Sequence, residues 1–285
     1  MSLCHSLQSL PLMGEKFLTS SLGVSMNKVQ QFYQSYDEDS RLVKDDYHRI
    51  EFITTLYFLD DYFRPGLKII DIGAGTGRYA FYYAQQNCHV TALDVIPKYV
   101  KLMKQKAKQQ SVNIDISMGD AMDLSQFNDA QFDAVLCMGP LYHLKTDKER
   151  RQALSECSRI LKPGGIIAVA YVSRYASHLI EILKGDKPLD TKFLKKIINK
   201  GLQAGENSDS FYFSFPAEIE QMMSDFDVRK EKNVGTDGVT YLLGKRHKIL
   251  NETEFKYWLN YHLKTCENES LLGYSLHGLY IGRKL

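Results

Sequence analysis

The stretch Ile69-Ile70-Asp71-Ile72-Gly73-Ala74-Gly75-Thr76-Gly77-Arg78 constrains this chain most. A short apolar, β-branched run enters a turn with three glycines spaced one residue apart, and a helical pattern follows. Glycines lack a Cβ, so backbone N–H groups there can approach a ligand closely, and the start of a helix favours bound polar groups. An acidic residue, Asp71, stands two places before the first glycine. The dinucleotide fingerprint G-x-G-x-x-G would place its third glycine at position 78, which is Arg78 here. The spacing therefore predicts a nucleotide-like ligand at the end of a parallel strand and argues against a nicotinamide cofactor.

Strand and helix patterns alternate after this turn. Strands are predicted over about 68–72, 89–93 (ending in Asp94), 113–118, 132–138 and 166–172. Helices are predicted over about 78–86, from Pro97 onward, and from the Thr146/Glu149 capping box to about 161, where Lys162-Pro163-Gly164-Gly165 stops the helix. Such alternation predicts a parallel sheet covered on both faces. Two helices are expected between 29 and 63. After residue 173 the alternation gives way to helical pieces over about 193–200, 216–226 and 252–265, with strands at about 227–233 and 279–282.

Taken in order, the glycine turn, Asp94, Gly119-Asp120-Ala121, Met138-Gly139-Pro140-Leu141-Tyr142-His143-Leu144 and Leu161-Lys162-Pro163-Gly164-Gly165 resemble the class I S-adenosylmethionine-dependent methyltransferases. The Gly-Pro-Leu-Tyr-His-Leu loop is similar to that of a bacterial, methyltransferase type 11/25-like subgroup. It departs from the Asn-Pro-Pro-Tyr tetrad of amino-methylating nucleic-acid enzymes. The resemblance implies an α/β fold with a seven-stranded, mostly parallel Rossmann-like sheet, its last strand pair forming a terminal hairpin, and helical lid insertions. It covers about 68–172 and extends to the last strand. Residues 1–25, dominated by Ser, Leu and Gly and without helical or strand period, read as a disordered or non-native extension, with Met26 a natural start. A helical lid segment over 26–66 follows, then the methyltransferase domain over 67–285 with insertions at about 174–225 and 240–270.

The resemblance also implies S-adenosyl-L-methionine as cofactor and assigns its contacts. Gly73, Ala74, Gly75 and Gly77 give the close backbone approach. Asp71 helps hold the methionine amine, or bonds the backbone of the turn, or does both. Asp94 accepts both ribose hydroxyls, or caps the helix that Pro97 begins. Val95 and Ile96 line adenine, Asp120 (with Asp123 as competitor) and Ala121 meet its polar edge, and Met138 borders the site. Tyr142 and His143 are the candidate catalytic residues. His143 is either a base near neutral pH or a backbone-bonded loop histidine, and Tyr142 borders the sulfonium or acceptor, or is a packing anchor. Tyr33, Tyr36, Arg41 and Arg49 are candidates to close over the methionine carboxylate.

Composition narrows the remaining classes. In 285 residues the formal net charge is +2, which gives no global signal for nucleic acid, and the runs Lys195-Lys196 and Lys245-Arg246-His247-Lys248 read as solvated faces. Five cysteines without a C-x-x-C pair predict no metal centre or disulfide framework and fit a cytoplasmic location. No apolar run approaches membrane-spanning length. The expected activity is methyl transfer to a small-molecule acceptor. RNA or protein methyl transfer, a cofactor-binding protein without activity, and an NAD(P)-dependent oxidoreductase are the alternatives.

Overall fold

The computed structural model describes residues 29, 32–33, 36–42, 44–185, 188–202, 210–248 and 250–285, with the side chains of 245–248 excepted. The expectations for residues 1–25, for Met26 and for the basic side chains at 245–248 lie outside the described residues. Ten helices are named here: α1 (Glu38–Arg41), α2 (Asp46–Leu59), α3 (Arg78–Gln85), α4 (Pro97–Gln110), α5 (Asp147–Ile160), α6 (Arg174–Leu183), α7 (Thr191–Lys200), α8 (Pro216–Met223), α9 (Glu252–Thr265) and α10 (Glu269–Leu272). The strands are β1 (Lys68–Ile72), β2 (His89–Asp94), β3 (Asp115–Met118), β4 (Phe132–Cys137), β5 (Leu161–Val172), β6 (Val228–Gly235) and β7 (His277–Lys284).

They form one seven-stranded sheet in the order β3-β2-β1-β4-β5-β7-β6. Every neighbouring pair is parallel except those of β7, which runs antiparallel to β5 and β6. The sequence-derived fold class is therefore the observed one. Alternate residues of the central strands feed two cores. Ile70, Ile72, Val135, Cys137, Ile167 and Val169 pack with Leu154 and Cys157 of α5 and Met222 of α8. Ile69, Ala134, Leu136, Ile166 and Ala168 pack with Phe58 of α2, Phe81 of α3 and Met103 of α4. Burial on both faces explains why these strands read as continuous apolar runs.

The chain goes outward from β1 to β3 and then returns to β4 on the other side of β1. That reversal opens a crevice at the carboxyl ends of β1 and β4, where open α/β sheets take ligands.

Three boundaries differ from the sequence reading. Pairing of β5 begins already at Leu161, opposite Phe132, and a register shift before Ala134 accommodates Lys162–Gly165 within the strand. The final strand pair is antiparallel as expected, but it is no tight hairpin, since residues 236–276 with α9 and α10 intervene. In the leading segment the long helix is α2, and α1 is a single turn capped by Asp37. Among the described residues, no helix is long and apolar enough to cross a membrane.

Candidate functional site

At the switch point the glycine turn is fastened to the end of β2. Ala74 N–H donates to the Leu93 carbonyl at 2.8 Å, and Gly75 N–H to Oδ2 of Asp94 at 2.7 Å. Gly73, Gly75 and Gly77 all have positive φ, the left-handed region that favours glycine. A Cβ on Gly73 would stand 2.9 Å from Cδ of Pro140, and one on Gly139 would stand 3.0 Å from the Gly73 carbonyl. Turn and β4 loop thus touch at a distance only glycine permits.

A cavity of about 200 Å³ lies above this contact. The end of β1 contributes Asp71, Gly73, Ala74 and Gly75, and the end of β2 contributes Asp94, Val95 and Ile96. Gly119, Asp120 and Ala121 line it after β3, and Met138, Gly139, Tyr142 and His143 after β4. Tyr33, Glu38, Arg41 and Leu42 of the leading segment form the opposite wall. Gly77, expected among the cofactor contacts, does not line the cavity. It precedes α3, and a Cβ there would meet Phe81 at 2.9 Å and Met103 at 3.1 Å, so its lack of a side chain serves packing. Asp123 also stands outside, accepting from Ser125 N–H, as do Tyr36, stacked on Phe32, and Arg49, paired with Asp46 and lying over the Phe255 ring.

The carboxylates differ in how far they are satisfied. Asp71 is buried, takes the Ala80 N–H in the first turn of α3, and leaves Oδ2 without a partner among the described residues. Burial, with Asp94 nearby, pushes its carboxyl up to about 7. Asp94 is buried too, which raises it to about 6 despite the N–H groups of Ile96 and Gly75 that bond it. A carboxylate has about four lone-pair sites, so the N–H groups of Ile96, Gly75 and Val95 still leave Asp94 capacity for a ribose hydroxyl. Asp120 uses one oxygen on Met122 N–H at 2.9 Å. An orphaned buried carboxylate oxygen, two further carboxylates and close-approaching backbone fit a cationic adenosine-bearing cofactor.

His143 departs from the picture of an open base. Its Nδ1 lies 2.7 Å from the Ser210 carbonyl and its Nε2 lies 3.0 Å from Oη of Tyr33. Burial lowers its pKa to about 4, so the ring is neutral at pH 7. A carbonyl only accepts, hence Nδ1 carries the hydrogen and the lone pair of Nε2 is occupied by the Tyr33 hydroxyl. Tyr142 packs against His143 and stacks on Phe211, while its carbonyl takes Tyr212 N–H at 2.8 Å.

Several supporting residues escaped the sequence reading. Arg150 donates from Nη1 to the Leu144 carbonyl at 2.9 Å and lies 3.7 Å over the Tyr212 ring. Arg174 reaches the Phe213 carbonyl and Glu218. Arg41, which the sequence did single out, grips both oxygens of Glu51 (3.0 and 2.8 Å), and Glu51, which it did not, belongs to a cluster with Asp237 and His277 whose ligand-type atoms lie within 4.8 Å. A metal ion there would have to displace the Arg41 guanidinium and the Tyr47 and Ser275 hydroxyls, which already bond these carboxylates. Burial of charge marks all of these residues, and one sequence does not display it.

Residues 70–169 match the family described as methyltransferase domain. Among curated proteins, the ubiquinone biosynthesis O-methyltransferase of Xylella fastidiosa (strain M23) is 30% identical over 109 residues, which is 38% of this chain and 43% of that protein. The chain thus spans less than half the length of the curated relatives it matches. A solved structure from Pyrococcus horikoshii OT3 aligns with a TM-score of 0.60 at 17% identity, over 90% of this chain and 99% of its own. A SAM-dependent methyltransferase from Methanosarcina mazei aligns with a TM-score of 0.55 at 19% identity, over 80% and 97%. At such identities these likenesses concern the fold. The family match thus gives residues 70–169 as a methyltransferase domain, and the strand order and glycine turn that frame it are those of the class I S-adenosylmethionine-dependent methyltransferase fold.

Proposed function

We propose that this protein transfers the methyl group of S-adenosylmethionine to a small-molecule acceptor. The observation that carries the reading is the closure of the cavity. The strand ends supply one side, and Tyr33, Glu38, Arg41 and Leu42 supply the other, so an acceptor has to fit beneath that wall. A relative named for an O-methylation step in ubiquinone biosynthesis is in keeping with a small acceptor.

Asp71 would hold the amino group of the cofactor, Asp94 its ribose and Asp120 with Ala121 its base. When bound, the cofactor supplies a methyl group already activated on sulfonium sulfur. The protein's work is then alignment and exclusion of water. The aromatic surround of Tyr33, Tyr99, Tyr142 and His143 suits the second task, since it offers a displaced water few polar partners.

The test combines calorimetry with labelled transfer. Heat stability should rise with S-adenosylhomocysteine and stay unchanged with NAD or NADP. Label from methyl-tritiated S-adenosylmethionine should then appear in the low-mass filtrate of a cell extract. Label found in RNA or protein instead would overturn the acceptor class, and stabilisation by NAD alone would overturn the whole reading.

A further inference from the structure

The hydrogen-bond directions around His143 have a consequence for the acceptor. Ser210 fixes the imidazole hydrogen on Nδ1, so Tyr33 donates its own hydrogen to Nε2. The remaining lone pairs of the Tyr33 oxygen belong to a residue that lines the cavity. The ring itself is held by edge-on contacts with Phe32, Tyr99 and His143 at centroid distances of 5.0, 5.8 and 5.4 Å. We propose that the phenolic oxygen of Tyr33 is the hydrogen-bond acceptor that seats the methyl-accepting group, with His143 as its positioning residue, and that this group is a hydroxyl. The inference rests on the methyl-transfer reading and adds the nucleophile's chemistry to it.

Two arguments select a hydroxyl. A seat made of lone pairs needs a donor, so an acceptor already ionised to a carboxylate or phenolate finds no partner there. A thiol is only a weak donor. Proton flow separates hydroxyls from amines. As the acceptor oxygen bonds the methyl carbon, the carbon–sulfur bond breaks and its electron pair stays on sulfur. The acceptor's proton passes to the Tyr33 oxygen, and the Tyr33 proton passes to Nε2, leaving an imidazolium. Burial lowers the pKa of that imidazolium to about 4 and raises that of the Tyr33 phenol well above its ordinary value. Such a pair can take a proton only from a much stronger acid, and a protonated ether is one. An alkylammonium, with a pKa of about 10, would keep its proton, and the pair would have no function.

The experiment has two arms. Nitrogen-15 spectra of histidine-labelled protein, with His143 identified by its loss in His143→Gln, should show a neutral ring protonated at Nδ1 and unchanged between about pH 8 and 5. In Tyr33→Phe the Nε2 resonance should move as its hydrogen bond is lost. A ring protonated at Nε2, or charged near pH 6, overturns the arrangement whether or not the variants fold. In the second arm, catechol and benzylamine are offered as probes with labelled S-adenosylmethionine. Catechol should be methylated in preference, and Tyr33→Phe should lower its kcat by roughly 10²-fold while S-adenosylhomocysteine binds as in the parent. Preference for benzylamine, transfer to neither probe by a protein that binds S-adenosylhomocysteine, or an unchanged rate in Tyr33→Phe overturns the proposal. Failure to bind S-adenosylhomocysteine at all would instead overturn the methyl-transfer reading beneath it.

Discussion

Nδ1 of His277 stands 2.6 Å from Oδ2 of Asp237, joining the first residue of β7 to the loop that follows β6. The same carboxylate takes the hydroxyls of Tyr47 (2.8 Å) and Ser275 (2.6 Å). Glu51 lies 3.5 Å from the imidazole and passes the connection to Arg41 in the cavity wall. A chain of ion pairs thus ties the wall to the sheet from residues some 200 positions apart.

Removing this link should loosen the wall in a pH-dependent way. Burial disfavours charge on His277, but Glu51 and Asp237 outweigh it and raise its pKa. Burial likewise opposes the charges of Asp237 and Glu51, and the facing cations outweigh it and lower both. A raised histidine stabilises fully below its unfolded value of about 6.5 and loses that contribution as pH rises through its folded pKa. The lowered carboxylates contribute above about 4 and lose it as pH falls. His277→Gln should therefore cost about 1–3 kcal/mol near pH 5–6 and progressively less toward pH 9. Thermal melts of parent and variant across that range measure the difference, and a pH-independent gap would refute the linkage.

Asp71 should share the sign of His277 and oppose that of Glu51 and Asp237. Its carboxyl is pushed up to about 7, so between about pH 4 and 7 the folded protein binds a proton that the unfolded chain has released. Stability of the cofactor-free protein should fall across that interval and level off above it. Asp71→Asn should reduce this slope to the part that Asp94, raised to about 6, contributes, and be at least as stable as the parent at high pH. It should also weaken S-adenosylmethionine binding, since the ammonium loses its counter-charge. Melting curves against pH and titration calorimetry give the two readouts. A parental slope in the variant would assign the titration elsewhere.

Arg150 should couple stability to binding. Its guanidinium is buried, donates to the Leu144 carbonyl in the β4 loop and lies over Tyr212 of the segment packed on that loop. Arg150→Met keeps much of the stem and removes the charge-assisted bond, a loss of about 2–3 kcal/mol. Leu144 and His143 both line the cavity, so the melting temperature and the affinity for S-adenosylhomocysteine should fall together. A variant that melts earlier yet binds with parental affinity would separate the loop from the cofactor.

Local signals carried much of the fold. The Thr146/Glu149 capping box, Pro97 opening α4 and the β-branched runs lie within single elements, where propensity and pattern suffice. The cavity-lining residues at four strand ends were legible because each sits beside a turn motif. What one sequence does not display is pairing across distance. Tyr33 meets His143, which meets Ser210, through contacts separated by 110 and 67 positions. That His143 is protonated on Nδ1 and neutral follows only from these partners. The packing of Gly77 against Phe81 and Met103 is equally invisible, because the spacing looks identical whether a glycine faces a ligand or a neighbouring helix.

Asp94 tests how far a structural and a ligand role coexist in one carboxylate. Its two oxygens already hold Gly75 N–H and Ile96 N–H, each at 2.7 Å, and so shape the turn before any ligand arrives. Asp94→Ala should therefore lose both functions. Two buried N–H groups go unpaired, lowering the melting temperature, and the ribose loses a charged acceptor worth about 1.5–3 kcal/mol. Asp94→Asn keeps one acceptor oxygen of the same size, so it should retain part of the turn's bonding and cost less in both readouts. The discriminating comparison is adenosine against S-adenosylhomocysteine, both of which carry the ribose. If Asp94 binds the diol, Asn should weaken both by a similar factor, and 2′-deoxyadenosine should be much less sensitive to the substitution. Equal sensitivity of the deoxy compound would mean that Asp94 acts through the turn alone and that the ribose contact lies with another group.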